Sequence, residues 1–155
     1  TSVVLLVLLF LALAFGETMD DLVETDGLHY KKFTDVPFTG KVTGKTQELF
    51  KDDKKHGLYV SYYDNGQLSF KGTYKNGKED GPRVSYYHNG QLWDKGIFKD
   101  GKKHGPWVWY YWENGQLDEK GTYKDGKKEG PWVLYDDDGQ LLSKGTYKDG
   151  KKVGP

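Results

Sequence analysis

The sequence repeats itself from residue 57 onward. Four units start in nearly the same way, and their starts are 24, 24 and 25 residues apart. The starting segments are Gly57-Leu58-Tyr59-Val60, Gly81-Pro82-Arg83-Val84, Gly105-Pro106-Trp107-Val108 and Gly130-Pro131-Trp132-Val133, and a fifth start follows at Gly154-Pro155. A unit this short cannot bury an apolar face by itself and must stack on its neighbours. The period therefore predicts four tandem units over residues 57–155, with a fifth unit cut off at the C-terminus.

Each unit contains two strand-forming segments separated by tight turns. In residues 81–104, strand formers at 84–87 precede Asn89-Gly90, and a second strand at 91–98 precedes Asp100-Gly101. Asn-Gly and Asp-Gly between alternating strands are strong hairpin signals, because both central residues of such a turn adopt positive φ. No sequence stretch after residue 22 has a long helical period. The pattern predicts an all-β fold, an elongated antiparallel meander of stacked β-hairpins.

Alternation along a strand divides the side chains of each unit between two faces. One set hardly varies between units, and we expect it to form the packing between them, with its glycines letting an aromatic ring lie on the backbone. Its members are Val60, Val84, Val108, Val133, Tyr62, Tyr86, Tyr110 and Tyr135 on the first strand, and Leu68, Leu92, Leu117, Leu141, Gly72, Gly96, Gly121, Gly145, Tyr74, Phe98, Tyr123 and Tyr147 on the second. We call it the constant set.

The other set of side chains varies from unit to unit, and we call it the variable set. Its members are Tyr59, Arg83, Trp107 and Trp132, next to Ser61, Ser85, Trp109 and Leu134. Variation on one face against constancy on the other is typical of a binding surface, although a face that is only solvated would also vary. The residues that we predict to bind a partner are Arg83, Trp107, Trp109 and Trp132.

The N-terminal segment has a different composition. An unbroken run of 13 apolar residues from Val3 to Phe15 is followed by Gly16 and then by acidic residues. A membrane-spanning helix needs about 20 apolar residues, whereas a shorter run with small residues at Ala14 and Gly16 is typical of a secretory signal and its cleavage site. The sequence predicts a short apolar signal helix at 1–16 and an exported protein that is periplasmic, envelope-bound or extracellular. An uncleaved anchor and a buried segment are the alternatives.

Residues 17–56 read as a lead-in followed by a degenerate first unit that caps the array. The segment Phe50-Lys51-Asp52-Asp53-Lys54 repeats the pattern of Phe98-Lys99-Asp100-Gly101-Lys102, except that Asp53 replaces the turn glycine. Terminal units of a repeat array commonly depart from the pattern of the inner units. We also expect the segment 28–33 to add a strand at the edge of the sheet.

Composition argues against catalysis, cofactors, metals and nucleic acid. The 23 basic and 23 acidic residues cancel, so no long-range field attracts nucleic acid. Asp136-Asp137-Asp138 lacks the alternating ligands of a calcium loop, and no nucleophile–base pattern is recognisable. His56 and His104 occupy the same turn position in different units, where other units have Asp, Glu or Val, which indicates surface tolerance. We predict no catalytic residue, no cofactor and no metal.

Lysines recur in the turns. They are Lys78, Lys102, Lys103, Lys127, Lys128, Lys151 and Lys152. Such lysines could line one edge and contact phosphate or an anionic membrane surface, but charged edges also keep sheets from pairing with one another. Because Asp and Glu are interleaved with them, a solvated edge is favoured, and contact with a membrane surface stays open.

The units resemble the variant MORN repeat of bacterial proteins. The resemblance is carried by the pattern Gly-Pro-Trp-Val-x-Tyr-Tyr-x-Asn-Gly-Gln-Leu-x-x-Lys-Gly-Thr-Tyr-Lys-Asp-Gly-Lys-Lys, which residues 105–130 match apart from one extra residue around Trp112-Glu113. It covers about residues 38–155, and residues 30–40 resemble the segment that precedes such arrays. The resemblance implies stacked hairpins without a catalytic centre that act as an interaction scaffold, sometimes near membranes. Proteins of this type are commonly labelled the antitoxin component of a toxin–antitoxin pair, a role that export does not suit and that stays open as an alternative function.

A choline- or glycan-binding hairpin array is the main alternative. Residues 107–115 superficially resemble choline-binding repeats, in which rings of adjacent hairpins cage a quaternary ammonium. Tyr59 and Arg83 stand where the third and fourth units have Trp107 and Trp132, so a full cage could form only around those two units. The predicted function is a non-catalytic scaffold for protein–protein interaction in the bacterial envelope or outside the cell. Its partner is an unidentified protein, with glycan or membrane contact as open alternatives and no nucleic acid.

Overall fold

The computed structural model describes residues 20, 22–25, 28–31, 39–42 and 44–155. The predicted signal helix at 1–16 and most of the lead-in lie outside the described residues. The strands are β1 (Leu22–Thr25), β2 (Leu28–Lys31), β3 (Gly40–Val42), β4 (Thr46–Lys51), β5 (Lys54–Lys55), β6 (Gly57–Tyr62), β7 (Leu68–Lys75), β8 (Lys78–Tyr86), β9 (Leu92–Lys99), β10 (Lys102–Tyr110), β11 (Leu117–Lys124), β12 (Lys127–Tyr135), β13 (Leu141–Lys148) and β14 (Lys151–Gly154). In this part of the chain no helix is long and apolar enough to cross a membrane.

The strands form one continuous antiparallel meander. Strands β6 to β14 pair in sequence order, β6 pairs with β4, and β4 pairs with β3 and β5, which gives a 12-stranded sheet. This confirms the predicted all-β meander of stacked hairpins. The prediction that segment 28–33 adds an edge strand is wrong, because β2 pairs with β1 in a separate two-stranded sheet. Only two residues separate β1 from β2 along the sequence, so bringing these two strands together costs little chain entropy.

The two turns of each unit have different geometries. In the Lys-Asp-Gly-Lys type of turn both central residues have positive φ, as at Asp100 (50°) and Gly101 (79°). In the turns at the other edge, which contain Asn65-Gly66, Asn89-Gly90, Asn114-Gly115 and Asp138-Gly139 and are called the Asn-Gly type, only the glycine does, as at Gly90 (86°). There the Oδ1 of Asn89 accepts a hydrogen bond from the N–H of Gln91 at 3.0 Å. Two positive φ values are therefore a correct prediction for one edge only, because the asparagine side chain stabilises a different turn at the other edge.

Hydrogen bonds repeated at the unit spacing hold neighbouring units together. At the Asn-Gly edge, tyrosine hydroxyls donate to carbonyls of the next unit, from Tyr63 to Tyr86, Tyr87 to Tyr110 and Tyr111 to Tyr135. The turn asparagines donate in the same direction, from Asn65 to His88, Asn89 to Trp112 and Asn114 to Asp137. At the other edge, turn glycines donate to the preceding hairpin, as Gly101 does to Glu79 at 2.8 Å. Each unit thus satisfies polar groups of its neighbour.

A β-bulge in the second strand of each unit determines which residues share a face. In the first unit the register shifts, so that Leu68 pairs with Tyr62 while Gly72 pairs with Tyr59. Tyr62 and Tyr59 lie on opposite faces, and so Leu68 and Gly72 do as well. The same shift recurs in the other units. The prediction that the leucines and glycines share a face is therefore wrong, because period-two alternation does not continue through a bulge.

The variable set lies on the packed face of the sheet. The glycines of the constant set and the aromatic rings two residues after them lie on this packed face as well, because they follow the bulge. Trp107 is 1 % exposed and Trp132 is 3 % exposed, while Arg83 and Trp109 are half-buried. The expectation of an exposed face is wrong for Trp107 and Trp132, which are core residues, whereas Arg83 and Trp109 keep part of their surface open.

Candidate binding surfaces

Trp107 and Trp132 lie flat on glycines of the preceding strand. The indole of Trp107 covers Gly96, and a Cβ at Gly96 would overlap the ring. Trp132 covers Gly121 in the same way. This confirms, at Gly96 and Gly121, the prediction that the repeated glycines let an aromatic ring lie on the backbone, whereas Lys152 covers Gly145.

The indole nitrogens donate to backbone carbonyls where the sheet register breaks. The pairing of β9 with β10 is interrupted around Gly105-Pro106, and proline has no N–H to offer the sheet. Trp107 Nε1 donates to the Ile97 carbonyl at 3.1 Å. At the equivalent break, Trp132 Nε1 donates to the Thr122 carbonyl at 3.2 Å. The tryptophans therefore bind the backbone as well as filling space.

A lysine of the same strand covers each tryptophan. Lys103 Nζ lies 4.2 Å from the ring centroid of Trp107, 4.7 Å from that of Trp109 and 5.2 Å from that of Tyr123. In the fourth unit Lys128 lies 3.9 Å from the corresponding ring. Rings around an ammonium form a cation–π cage, and burial lowers the pKa of Lys103 from its ordinary value. The cage that a choline-binding array would need is occupied by the chain's own lysine.

The second unit replaces this lysine–tryptophan pair with a carboxylate and an arginine. Arg83 stands where the third unit has Trp107, and Glu79 stands where it has Lys103. The Arg83 guanidinium lies 3.6 Å from Glu79 and 3.7 Å from Asp94, and 5.0 and 5.5 Å from two phenylalanine ring centroids. Burial raises the pKa of Glu79, while Arg83 opposes that shift. Position 79 thus carries a carboxylate where it contacts an arginine, and the equivalent position 103 carries an ammonium where it contacts a tryptophan.

Glu79→Lys is expected to lower the free energy of unfolding by about 2 kcal/mol, between the values for exposed and buried ion pairs. The change places an ammonium beside the Arg83 guanidinium. The double variant Glu79→Lys/Arg83→Trp reproduces the pattern of the third unit, and we expect it to recover most of the loss. Urea denaturation measures both effects. A double variant as unstable as the single one would contradict the matched-pair interpretation.

The four residues predicted to bind a partner form one continuous row. The Arg83 guanidinium carbon lies 5.9 Å from the Trp107 ring, Trp107 and Trp109 stack with centroids 5.5 Å apart, and Trp109 and Trp132 are 6.0 Å apart. The structure therefore brings together all four. It packs them against one another and against backbone, so this row contributes to the packing between units.

The opposite face of the sheet carries an open groove of about 600 Å³ across β6 to β10. Its apolar side chains are Leu58, Pro82, Val84, Ile97, Pro106 and Val108. Leu58 and Ile97 are 46 % and 41 % exposed. Lys95, which lies directly opposite Val84 and Val108, and Lys71 add positive charge. Among the described residues that line the groove, none is acidic.

Sequence reasoning missed this groove, because it assigned the valines to packing. A signal was present in the same strands. Lysines recur directly opposite the valines, at Lys71, Lys95, Lys120 and Lys144. Lysine is almost never fully buried unless it is paired. Exposed lysines opposite the valines therefore indicate a face that is partly open to water, on which Val60 is buried and Val84, Val108 and Val133 are half-buried.

The titratable groups of the described region do not form a metal site. No group of three or more His, Asp or Glu side chains in that region could hold a metal ion. Glu79 and Asp94, two carboxylates on the packed face, both pair with Arg83.

Comparison with known families agrees with the repeat pattern. The family described as MORN repeat variant matches residues 55–76, 79–100, 103–125 and 128–149, which together make more than half of the chain. The family described as MORN repeat matches residues 95–106. Each variant match begins two residues before the starting glycine of a unit. No curated protein matches the chain.

Proposed function

The chain belongs to the MORN repeat variant family, and we propose that it is a non-catalytic scaffold that binds another protein. MORN repeats form a non-enzymatic repeat fold and generally serve as scaffolds for protein or membrane interaction. The observation that carries the proposal is the groove on β6 to β10. An apolar surface left open to water and bordered by charge is typical of an interaction site.

The chemistry of the groove favours an extended acidic and apolar segment as its occupant. The groove crosses five strands, so it spans four spacings of about 4.8 Å, or about 19 Å in all. An extended chain rises about 3.3 Å per residue, so a segment of about six residues fills it. Apolar side chains of the segment would contact Leu58 and Ile97. Asp or Glu between them would meet Lys71 and Lys95.

The packed face supports protein binding over the choline- or glycan-binding alternative. That alternative needs an open aromatic cage, and the rings of the third and fourth units already surround Lys103 and Lys128. An antitoxin role would be a special case of protein binding, in which the groove takes a segment of the toxin.

The proposed location of the scaffold is the periplasm, the cell envelope or the exterior. The support is the apolar run from Val3 to Phe15 with Ala14 and Gly16 at its end. If the signal is cleaved there, the chain recovered from an envelope or supernatant fraction begins at Glu17, which mass spectrometry checks.

A photo-crosslinking residue at position 97 tests the groove. In envelope and supernatant fractions we expect it to capture a protein through an extended segment rich in Asp or Glu and apolar residues. The same residue at position 153, where Val153 is exposed on β14 outside the groove, is the control. Lys95→Glu should abolish the crosslink, because it reverses the charge that attracts the segment. A crosslink that survives this change, or one formed only to lipid or glycan, would refute the proposed occupant.

A further inference from the structure

Two tryptophans at the Asn-Gly edge are not required by the repeat. Trp93 occupies a bulge position that is Ser69, Asp118 and Leu142 in the other units. Trp112 lies in the one Asn-Gly turn that is a residue longer than its counterparts. The other units stack without a tryptophan at either place. The fold therefore does not explain why these two large rings are there.

Trp93 and Trp112 form an exposed aromatic cluster with Tyr87 and His88. Trp93 stacks on Tyr87 with ring centroids 5.6 Å apart and planes at 30°. Trp112 stacks on His88 at 5.1 Å and 26°, and meets Tyr87 edge-on at 6.4 Å. Trp93 is still 43 % exposed and Trp112 is 40 % exposed. The cluster thus holds two indoles in fixed orientations while much of their surface stays open to water.

The edge that carries the cluster is acidic. Its four turns, at 63–67, 87–91, 111–116 and 136–140, contain no Lys or Arg and five carboxylates, Asp64, Glu113, Asp136, Asp137 and Asp138, of which Asp64 pairs with Lys45. The turns of the opposite edge contain three aspartates, Asp100, Asp125 and Asp149, but eight lysines, Lys75, Lys78, Lys99, Lys102, Lys124, Lys127, Lys148 and Lys151, and so remain basic. At the cluster itself, burial and then the carboxylates of Asp118 and Glu113 raise the pKa of Tyr87. A net charge of zero therefore hides opposite charges on the two edges.

We propose that this aromatic cluster is a binding site for the lysine or arginine side chains of a basic peptide segment. The face of an indole attracts a cation, and an acidic surround steers a basic segment toward it. The packed face of the same chain provides a precedent, since Lys103 lies 4.2 Å from the ring centroid of Trp107. The site stands apart from the groove, whose positive charge suits a segment of the opposite sign.

Titration with labelled oligo-arginine, oligo-lysine and oligo-glutamate peptides tests the site. We expect the protein to bind the two basic peptides at the cluster, whereas any binding of oligo-glutamate belongs to the groove and should be unchanged in Trp93→Ser and Trp112→Ala. Trp93→Ser, which installs the residue of the first unit, and Trp112→Ala should each weaken binding about threefold to fivefold, the size of an exposed cation–π contact. Trp93→Phe should retain part of the affinity. The melting temperature should stay unchanged in Trp93→Ser, because the first unit stacks with serine at this place.

Two results would overturn the site. Equal binding of the basic peptides by wild type, Trp93→Ser and Trp112→Ala would show that the acidic edge attracts them without the rings. Binding of a neutral oligosaccharide that is lost in Trp93→Ser, with no binding of the basic peptides, would assign the cluster to glycan. Lys95→Glu in the groove is the matched control and should leave the basic peptides bound. Failure of the groove proposal therefore stays distinguishable from failure of this one.

Discussion

Replacing Trp107 with alanine is expected to lower the free energy of unfolding by about 3–5 kcal/mol, the range for removing a buried aromatic side chain. The ring is 1 % exposed, donates a hydrogen bond to the Ile97 carbonyl and supports the Lys103 ammonium. Its loss would also leave Gly96 facing a cavity. Because each unit contacts only its neighbours, a cavity in the third unit should uncouple the two halves of the array.

Urea denaturation followed by circular dichroism measures this loss. Trp112→Ala is the matched control, because it removes the same side chain from an exposed site and should change stability by less than about 0.5 kcal/mol. We also expect Trp107→Ala to broaden the transition as the halves separate. If Trp107→Ala were as stable as wild type, the ring would not be part of the core, and the assignment of the variable set to an exposed face would be restored.

The sequence was sufficient to predict the architecture, because the signals for it are local and repeated. Asn-Gly and Asp-Gly pairs recur at a fixed spacing, and each implies a hairpin regardless of what surrounds it. The fixed period then implies that hairpins stack in sequence order. Even the contact between a glycine and a ring could be predicted, since a glycine that recurs inside a strand needs a reason such as the close approach seen between Gly96 and Trp107.

The candidate surfaces could not be predicted in the same way, because they depend on irregularities. A bulge adds one residue to a strand and exchanges the two faces beyond it. The residue at the bulge differs in type between units, being Ser69 in the first and Trp93 in the second, so no residue type marks the bulge in the sequence. Period-two alternation from Leu68 to Gly72 crosses that bulge, and it therefore assigns Gly72 to the wrong face of the sheet. The exposed lysines opposite the valines were the signal that could have corrected this, since Lys95 between Val84 and Val108 argues against a fully buried stripe.

The distribution of charge on the protein also depends on the fold and not on composition alone. A balanced composition predicts no long-range field, and that inference holds for the whole chain. It does not hold for each edge, because the hairpin meander puts the Lys-Asn-Gly-Lys and Lys-Asp-Gly-Lys turns on one side and the turns at 63–67, 87–91, 111–116 and 136–140 on the other. Because alternate turns of the meander lie at opposite edges of the sheet, charges that are mixed along the sequence are separated between these edges. Surfaces of opposite sign on a neutral protein can recruit partners of opposite charge to different places.

Gly96→Ala is expected to cost about 3 kcal/mol of stability, at the upper end for overpacking a core. A Cβ at this position would overlap the indole of Trp107. The ring cannot move away easily, because its Nε1 is bonded to the Ile97 carbonyl and Phe98 packs edge-on against it with centroids 5.3 Å apart. Gly96 does not have positive φ, so the loss would come from the clash and not from backbone strain.

Two variants separate the clash in Gly96→Ala from any general effect of adding a methyl group. Gly154→Ala is the control, because its Cβ would lie 3.8 Å from Thr146, an ordinary contact, and we expect it to be tolerated. In the double variant Gly96→Ala/Trp107→Ala the ring is gone, so the methyl group has space and the combined loss should be smaller than the sum of the single losses. Denaturation of the wild type, Gly96→Ala, Trp107→Ala and the double variant gives the coupling free energy between the two positions. Additive losses would mean that glycine and ring do not share one site, and the packed face would need another explanation.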